Sequence, residues 1–131
     1  MPTIRPITAL GIALWTTDIG GLARFLEVVA GLRVVEKHPG YAALELDGTR
    51  LLLHADESYR GHPWYDALHR DGAARGIGAE IRVCVKDVEQ AYSAALRMGA
   101  QAIEAPCEVD DTFECQVMAP DGFLLTLWET L

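Results

Sequence analysis

Residues 78–100, GAEIRVCVKDVEQAYSAALRMGA, pass from one hydrophobic period to another within a single stretch. Ile81, Val83 and Val85 alternate with Glu80, Arg82 and Cys84, a period of two that sets apolar side chains on one face of a strand and polar ones on the other. Asp87 then supplies an N-cap oxygen, and Gln90 stands three residues on to complete a capping box. Val88, Ala91, Tyr92, Ala95 and Leu96 share one helical face before Gly99 stops the helix. The unit is strand, cap, amphipathic helix, stop.

An earlier segment repeats that order. In Gly11 to Gly31, GIALWTTDIGGLARFLEVVAG, Ile12, Leu14 and Thr16 alternate with Gly11, Ala13 and Trp15, Asp18 is the cap, and Ile19, Leu22, Phe25, Leu26 and Val29 form the apolar stripe. Asp18 corresponds to Asp87, and Gly11 to Glu80. The ends of the two halves match as well: Ala43 to His54, ALELDGTRLLLH, lies over Val117 to Trp128, VMAPDGFLLTLW, with Asp47-Gly48 over Asp121-Gly122. Two matches in the same order mark an internal repeat, which has to be settled before any fold is assigned.

Between the repeated pieces the chain predicts strands at Ile7 to Thr17, Leu32 to Lys37, Tyr41 to Leu46 and Thr49 to His54 in the first half. The second half predicts strands at Gly78 to Val85, Ala100 to Glu104, Phe113 to Ala119 and Phe123 to Thr130, with a helix over Val88 to Met98. Asp47-Gly48 and Pro120-Asp121-Gly122 are turns. Residues 55–77 are polar and glycine-bearing, with an island at His62 to His69 that suits one or two helical turns. The expected organisation is one α+β domain over residues 1–131: module one at 6–54, a connector at 55–77 and module two at 78–129, each module running β-α-β-β-β. In the connector, Trp64 and Tyr65 suit a cover over the mouth of the fold, a cap on its end or a contact with another subunit.

Composition narrows the partners. The chain of 131 residues has 11 Lys and Arg against 19 Asp and Glu, a net charge of −8, which repels phosphate backbones and argues against nucleic acid. Its apolar runs are strand-length and its first residues lack the regions of a signal peptide, so no membrane partner is expected and the cytoplasm is the expected location. Cys84, Cys107 and Cys115 are odd in number with no C-x-x-C pair, which suits reduced thiols over disulfides or structural zinc.

Paired β-α-β-β-β modules in a chain of this length resemble the vicinal oxygen chelate superfamily, the glyoxalase, bleomycin-resistance and extradiol-dioxygenase group. The resemblance spans residues 6–129. It rests on the two strand-to-Asp-capped-helix entries and on the terminal PDGFLLTLWE, residues 120–129. It implies two modules curling their sheets into a cup, and a homodimer that completes the cups near the chain interface. The family's metal enzymes take one ligand from the first strand and one from the last strand of each module. Those positions fall here on Gly11, Leu52, Glu80 and Thr126. Only Glu80 carries a metal ligand, where a catalytic divalent site wants about three; no metal and no other cofactor is therefore expected. A relocated set of His54, Glu80 and Glu114 is the alternative.

If those positions face the cup, alternation also turns Ala13 and Trp15, Arg50 and His54, Arg82 and Cys84, and Leu124 and Trp128 inward, with Tyr41, Glu45, Glu114, Gln116 and Met118. The candidate ligand-binding residues are Trp15, Tyr41, His54, Glu80, Arg82, Glu114, Gln116, Thr126 and Trp128. Aromatic planes among a few charges suit a small-molecule site, although Trp15 and Trp128 also suit packing on the connector or a partner chain. The resemblance and the residues together imply a metal-free binding protein like the antibiotic-sequestering bleomycin-resistance branch, holding an aromatic or cationic ligand. The alternative is a lyase, isomerase or dioxygenase, using relocated ligands or Glu80 as a general base whose pKa is raised between aromatic rings. A third possibility is a dimerisation or regulatory module whose cup is filled by its own side chains.

Overall fold

A computed structural model of the chain describes residues 11–69, 75–76 and 78–131. The elements run β1 (Ile12–Thr16), α1 (Ile19–Ala30), β2 (Arg33–His38), β3 (Tyr41–Leu46), β4 (Thr49–Ala55), a 3-10 turn at Asp56–Tyr59 and α2 (Pro63–His69). Module two follows with β5 (Ile81–Cys84), α3 (Val88–Arg97), β6 (Gln101–Val109), β7 (Thr112–Ala119), a 3-10 turn at Pro120–Gly122 and β8 (Phe123–Thr130). Two separate four-stranded sheets result, ordered β1-β4-β3-β2 and β5-β8-β7-β6. In each, the first strand runs parallel to the last while the rest pair antiparallel.

The repeat holds down to the backbone angles. Asp18 and Asp87 cap α1 and α3 from extended conformations at φ −150° and −149°, their carboxylates accepting from Gly21 N and Gln90 N. Asp47 and Asp121 take positive φ, 50° and 67°, each followed by a glycine in the same half of the map, where a β-carbon costs least for Asp, Asn or Gly. The pairing corrects the sequence match on one point. Leu46 pairs Thr49 across two turn residues, whereas Ala119 pairs Phe123 across three. The extra residue, Pro120, shifts the equivalence of β3 and β7 by one, so Tyr41 corresponds to Glu114. A one-residue slip exchanges the faces of a strand.

Three predicted strands change by more than one residue. The first is seen from Ile12 to Thr16, its expected earlier residues at 7–10 lying outside the described residues; β5 is shorter, confined to Ile81–Cys84; and β6 continues past Glu104 to Val109. As an edge strand, β6 tolerates Pro106 and steps in register around it.

Each helix covers the face of its sheet that alternation leaves apolar. Leu22, Phe25, Leu26 and Val29 are buried over Leu44, Leu51 and Leu53, and Val88, Ala91 and Ala95 over Val117, Leu125 and Leu127. α1 and α3 also pack on one another, merging both layers into one core; the alanines of α3 permit the close approach.

A second tie joins the modules. Asp121, at the turn into β8, accepts from Thr16 Oγ1 at 2.6 Å, Thr17 N at 2.7 Å and Thr17 Oγ1 at 2.9 Å. At the equivalent place in module one, where Val85 and Lys86 stand for the two threonines, Asp47 lines with them a groove of about 1090 Å³ between the modules. Burial pushes the Asp121 carboxyl up, but the hydrogen bonds from Thr16 and Thr17 outweigh it and its pKa is lowered. Asp121→Ala is expected to cost about 2–3 kcal/mol in urea unfolding, since three bonds to a charged acceptor are lost. Because the folded pKa lies below the unfolded one, the contribution is present above about pH 4 and fades as pH falls. The gap between native and Asp121→Ala midpoints should therefore narrow in acid.

Candidate functional site

On the uncovered faces, residues that alternate with the core stand in cross-strand rows. In module one the row Trp15, His54, Tyr41 is set by the pairings Trp15 with His54 and Tyr41 with His54. Its equivalent in module two is Cys84, Trp128, Glu114. The next row holds Arg82, Thr126 and Gln116, and beyond it stand Leu124 and Met118. Every sequence-predicted site residue lies on one of these faces, yet the two faces differ in kind.

Module two gathers five of the nine predicted residues into one hydrogen-bonded network. Arg82 donates to Glu80 Oε1 at 3.2 Å and to Glu114 Oε2 at 3.0 Å. Thr126 Oγ1, fully buried, donates to Glu80 Oε2 at 2.7 Å, while Gln116 Nε2 donates to both Glu80 Oε2 and Thr126 Oγ1. Thr112 Oγ1 adds a bond to Glu114 Oε2 at 2.9 Å. Two carboxylates share one guanidinium, so the network carries a net charge of about −1. Trp128 borders it, paired with Glu114 and Cys84. Beside Glu80 lies a cavity of about 370 Å³, lined also by Met118, Leu124, Ala79, Gly76 and Gly78. Gly76 is required there, because a β-carbon at that position would collide with the Gly122 carbonyl.

This environment corrects the expectation of a high-pKa base. The hydroxyl of Thr126 first, and Arg82 after it, hold the Glu80 carboxyl below its ordinary range against a weaker opposing effect of desolvation. A carboxylate stabilised in this way is ionised at neutral pH and is a weak proton acceptor.

Module one turns the aromatic half of the prediction inward. Trp15 stacks on His54 with centroids 5.3 Å apart, and Tyr41 meets His54 at 5.4 Å. The connector lays Trp64 on Trp15 at 4.3 Å and Tyr59 at 5.0 Å. Of the two readings of Trp15, packing on the connector is the one observed. Tyr65, paired with Trp64 in the sequence expectation, instead stacks on His69. Burial lowers the His54 pKa, keeping the ring neutral near pH 7. The connector is pinned at its base by Asp56, 3% exposed, which accepts from Arg75 Nη1 and Nη2 at 2.7 and 2.5 Å and pairs with His69 at 2.8 Å. Asp56, Tyr59 and Arg75 were not foreseen. Arg75 lies beyond the local pattern, but Asp56 opening a DESY turn after a strand was a usable signal.

The residues do not suit a metal centre of the expected kind. Gly11 and Leu52 offer no donor, Thr126 gives its proton to Glu80, and Glu80 is bound to Arg82. The relocated alternative fails as well. His54 stands in the aromatic row of one sheet while Glu80 and Glu114 flank Arg82 on the other, and no group of three His, Cys, Asp or Glu gathers among the described residues.

Comparison with solved structures decides the fold. A glyoxalase/bleomycin resistance protein/dioxygenase family enzyme from Burkholderia phytofirmans PsJN superposes with a TM-score of 0.74 at 21% identity, covering 92% of this chain and 96% of that one. The chain has the vicinal oxygen chelate fold. A glyoxalase-related enzyme from Fulvimarina pelagi (TM-score 0.72, 16% identity, 95% and 89% covered) and a hypothetical protein from S. aureus (0.75, 12%, 95% and 94%) share it. No protein-family model and no curated protein sequence matches the chain. Among the described residues no helix is long and apolar enough to cross a membrane. Within the vicinal oxygen chelate fold, the position of Glu80 is thus wired to Thr126, and Thr126→Val is expected to raise the Glu80 pKa toward the ordinary carboxylate range. Carboxyl-resolved NMR titration would read this, and an unmoved Glu80 would show that Arg82 alone sets it.

Proposed function

We propose that the protein binds a bulky organic cation or amine on the module-two face of its cup, without a metal. The observation that carries the reading is the Glu80 cavity: about 370 Å³, apolar at Met118 and Leu124, with a carboxylate at its wall. That size lies within the range of small-molecule pockets. Three of the roughly four acceptor positions of Glu80 are occupied by protein donors, which leaves one for a ligand N–H. Among the described residues Glu114 accepts through Oε2, from Arg82 and Thr112, and no donor reaches Oε1. From Leu124 to Trp128 the strand spans roughly 13 Å, a length over which an elongated ligand meets Leu124, Thr126 and Trp128 in turn. A site of net charge −1 on a protein of net charge −8 favours cations.

The alternative, a lyase, isomerase or dioxygenase on the same fold, is less well supported because Glu80 is held ionised and the ligand positions lack donors. Titration calorimetry against a panel of aromatic primary amines tests the reading. At least one member should bind with an affinity that weakens as salt rises, and Glu80→Gln and Glu114→Gln should each weaken it by about tenfold, the loss of one charge-assisted hydrogen bond. Binding indifferent to both substitutions, or turnover of a panel member by the native protein, would contradict it.

A further inference from the structure

One polar atom on the cup stands out. Trp15 Nε1 is buried and has no hydrogen-bond partner among the described residues, although buried indole N–H groups usually find one. What buries it is the connector. Tyr59 and Trp64 stack on each other at 4.9 Å and lie over Trp15, with Tyr59 also edge-on to His54 at 5.4 Å.

The way this cover is held is uneven. Its base is tied by Asp56 to Arg75 and His69, by Arg75 Nη1 to Trp15 O at 2.9 Å, and by Ser58 Oγ to Gly40 O at 3.2 Å. Beyond the base, the polar bonds of the described residues close within the segment: Arg60 to Glu57, Tyr65 OH to Glu57, His62 N to Tyr59 O and Tyr65 N to His62 O. Tyr59 and Trp64 therefore reach the sheet through ring contacts alone. An incoming ring can replace ring contacts one for one, whereas the covered state cannot satisfy Trp15 Nε1.

We propose that Tyr59 to Leu68 form a flap whose Tyr59 and Trp64 rings occupy the place of a planar aromatic ligand, which displaces them and brings a hydrogen-bond acceptor to Trp15 Nε1. The protein's net charge of −8 disfavours an anion at this face, so an uncharged aromatic acceptor is the probe of choice. The inference rests on the reading of the cup as a small-molecule site, but it concerns the other half of that cup. It assigns to module one an affinity for aromatic acceptors distinct from the cation site at Glu80.

Coumarin, a neutral planar lactone, is a suitable probe. The three tryptophans can be labelled with 5-fluorotryptophan and their fluorine resonances assigned by single Trp→Phe substitutions. Saturating coumarin should shift the Trp15 and Trp64 resonances and leave Trp128 in place. Trp64→Ala removes the internal competitor and should tighten coumarin binding by about fivefold or more, because apparent affinity rises with the fraction of open sites. Trp15→Phe keeps a ring but loses the N–H and should weaken binding by about fivefold. Should Trp64→Ala fail to fold, hydrogen exchange of the native protein decides: amides of residues 59–67 must exchange by local opening faster than those of β3 and β4. Exchange only through global unfolding, coumarin binding to neither protein, or a Trp15→Phe affinity equal to the native one would overturn the flap. A shift at Trp128 alone would also overturn it while leaving the Glu80 cavity in use.

Discussion

A sheet that buries one face beneath a helix must still dispose of the other. In this chain the inner strands turn alternate residues toward the helices, and those residues are spent on the shared core beneath α1 and α3. Leaving the opposite faces as bare apolar surface, or burying polar atoms there without partners, is costly. The two modules meet that constraint differently. Module one fills its face with rings, three from the sheet and two from the connector. Module two keeps its face wet and charged, with Arg82 bridging two carboxylates and a buried threonine hydroxyl locking one of them.

Much of this was legible in the residues. Period-two alternation put all nine candidate site residues on the open faces, and the Asp caps and Asp-Gly turns announced the repeat that organises the modules. What stayed hidden depended on distance in sequence or on the balance of neighbours. The composition of the faces could be read, but the order of strands that brings Thr126 beside Glu80 comes from the parallel pairing of β5 with β8. Without that pairing, Glu80 seemed free to take a raised pKa. Trp15 was readable as either ligand platform or packing residue, because nothing local says which way residues 55–69 fold. The one-residue offset between β3 and β7 escaped notice because Pro120 inserts inside a turn whose Asp-Gly signature is otherwise intact.

The same logic accounts for the metal positions. In module two the residue that replaces a ligand, Thr126, does not leave a gap but directs its proton at the remaining carboxylate, and Arg82 completes that carboxylate's coordination with a cation of the protein's own. A fixed guanidinium between Glu80 and Glu114 occupies the electrostatic place of a divalent ion and opposes its entry.

The most direct test of that opposition is a calorimetric titration of the purified protein with Mn²⁺, Zn²⁺ and Ni²⁺ at neutral pH, alongside Arg82→Met. The account predicts no stoichiometric uptake by the native protein, and measurable binding only when the guanidinium is removed and the carboxylates are left unpaired. About one equivalent of metal per chain in the native protein, lost in Glu80→Ala, would contradict it and return the cup to the metalloenzymes.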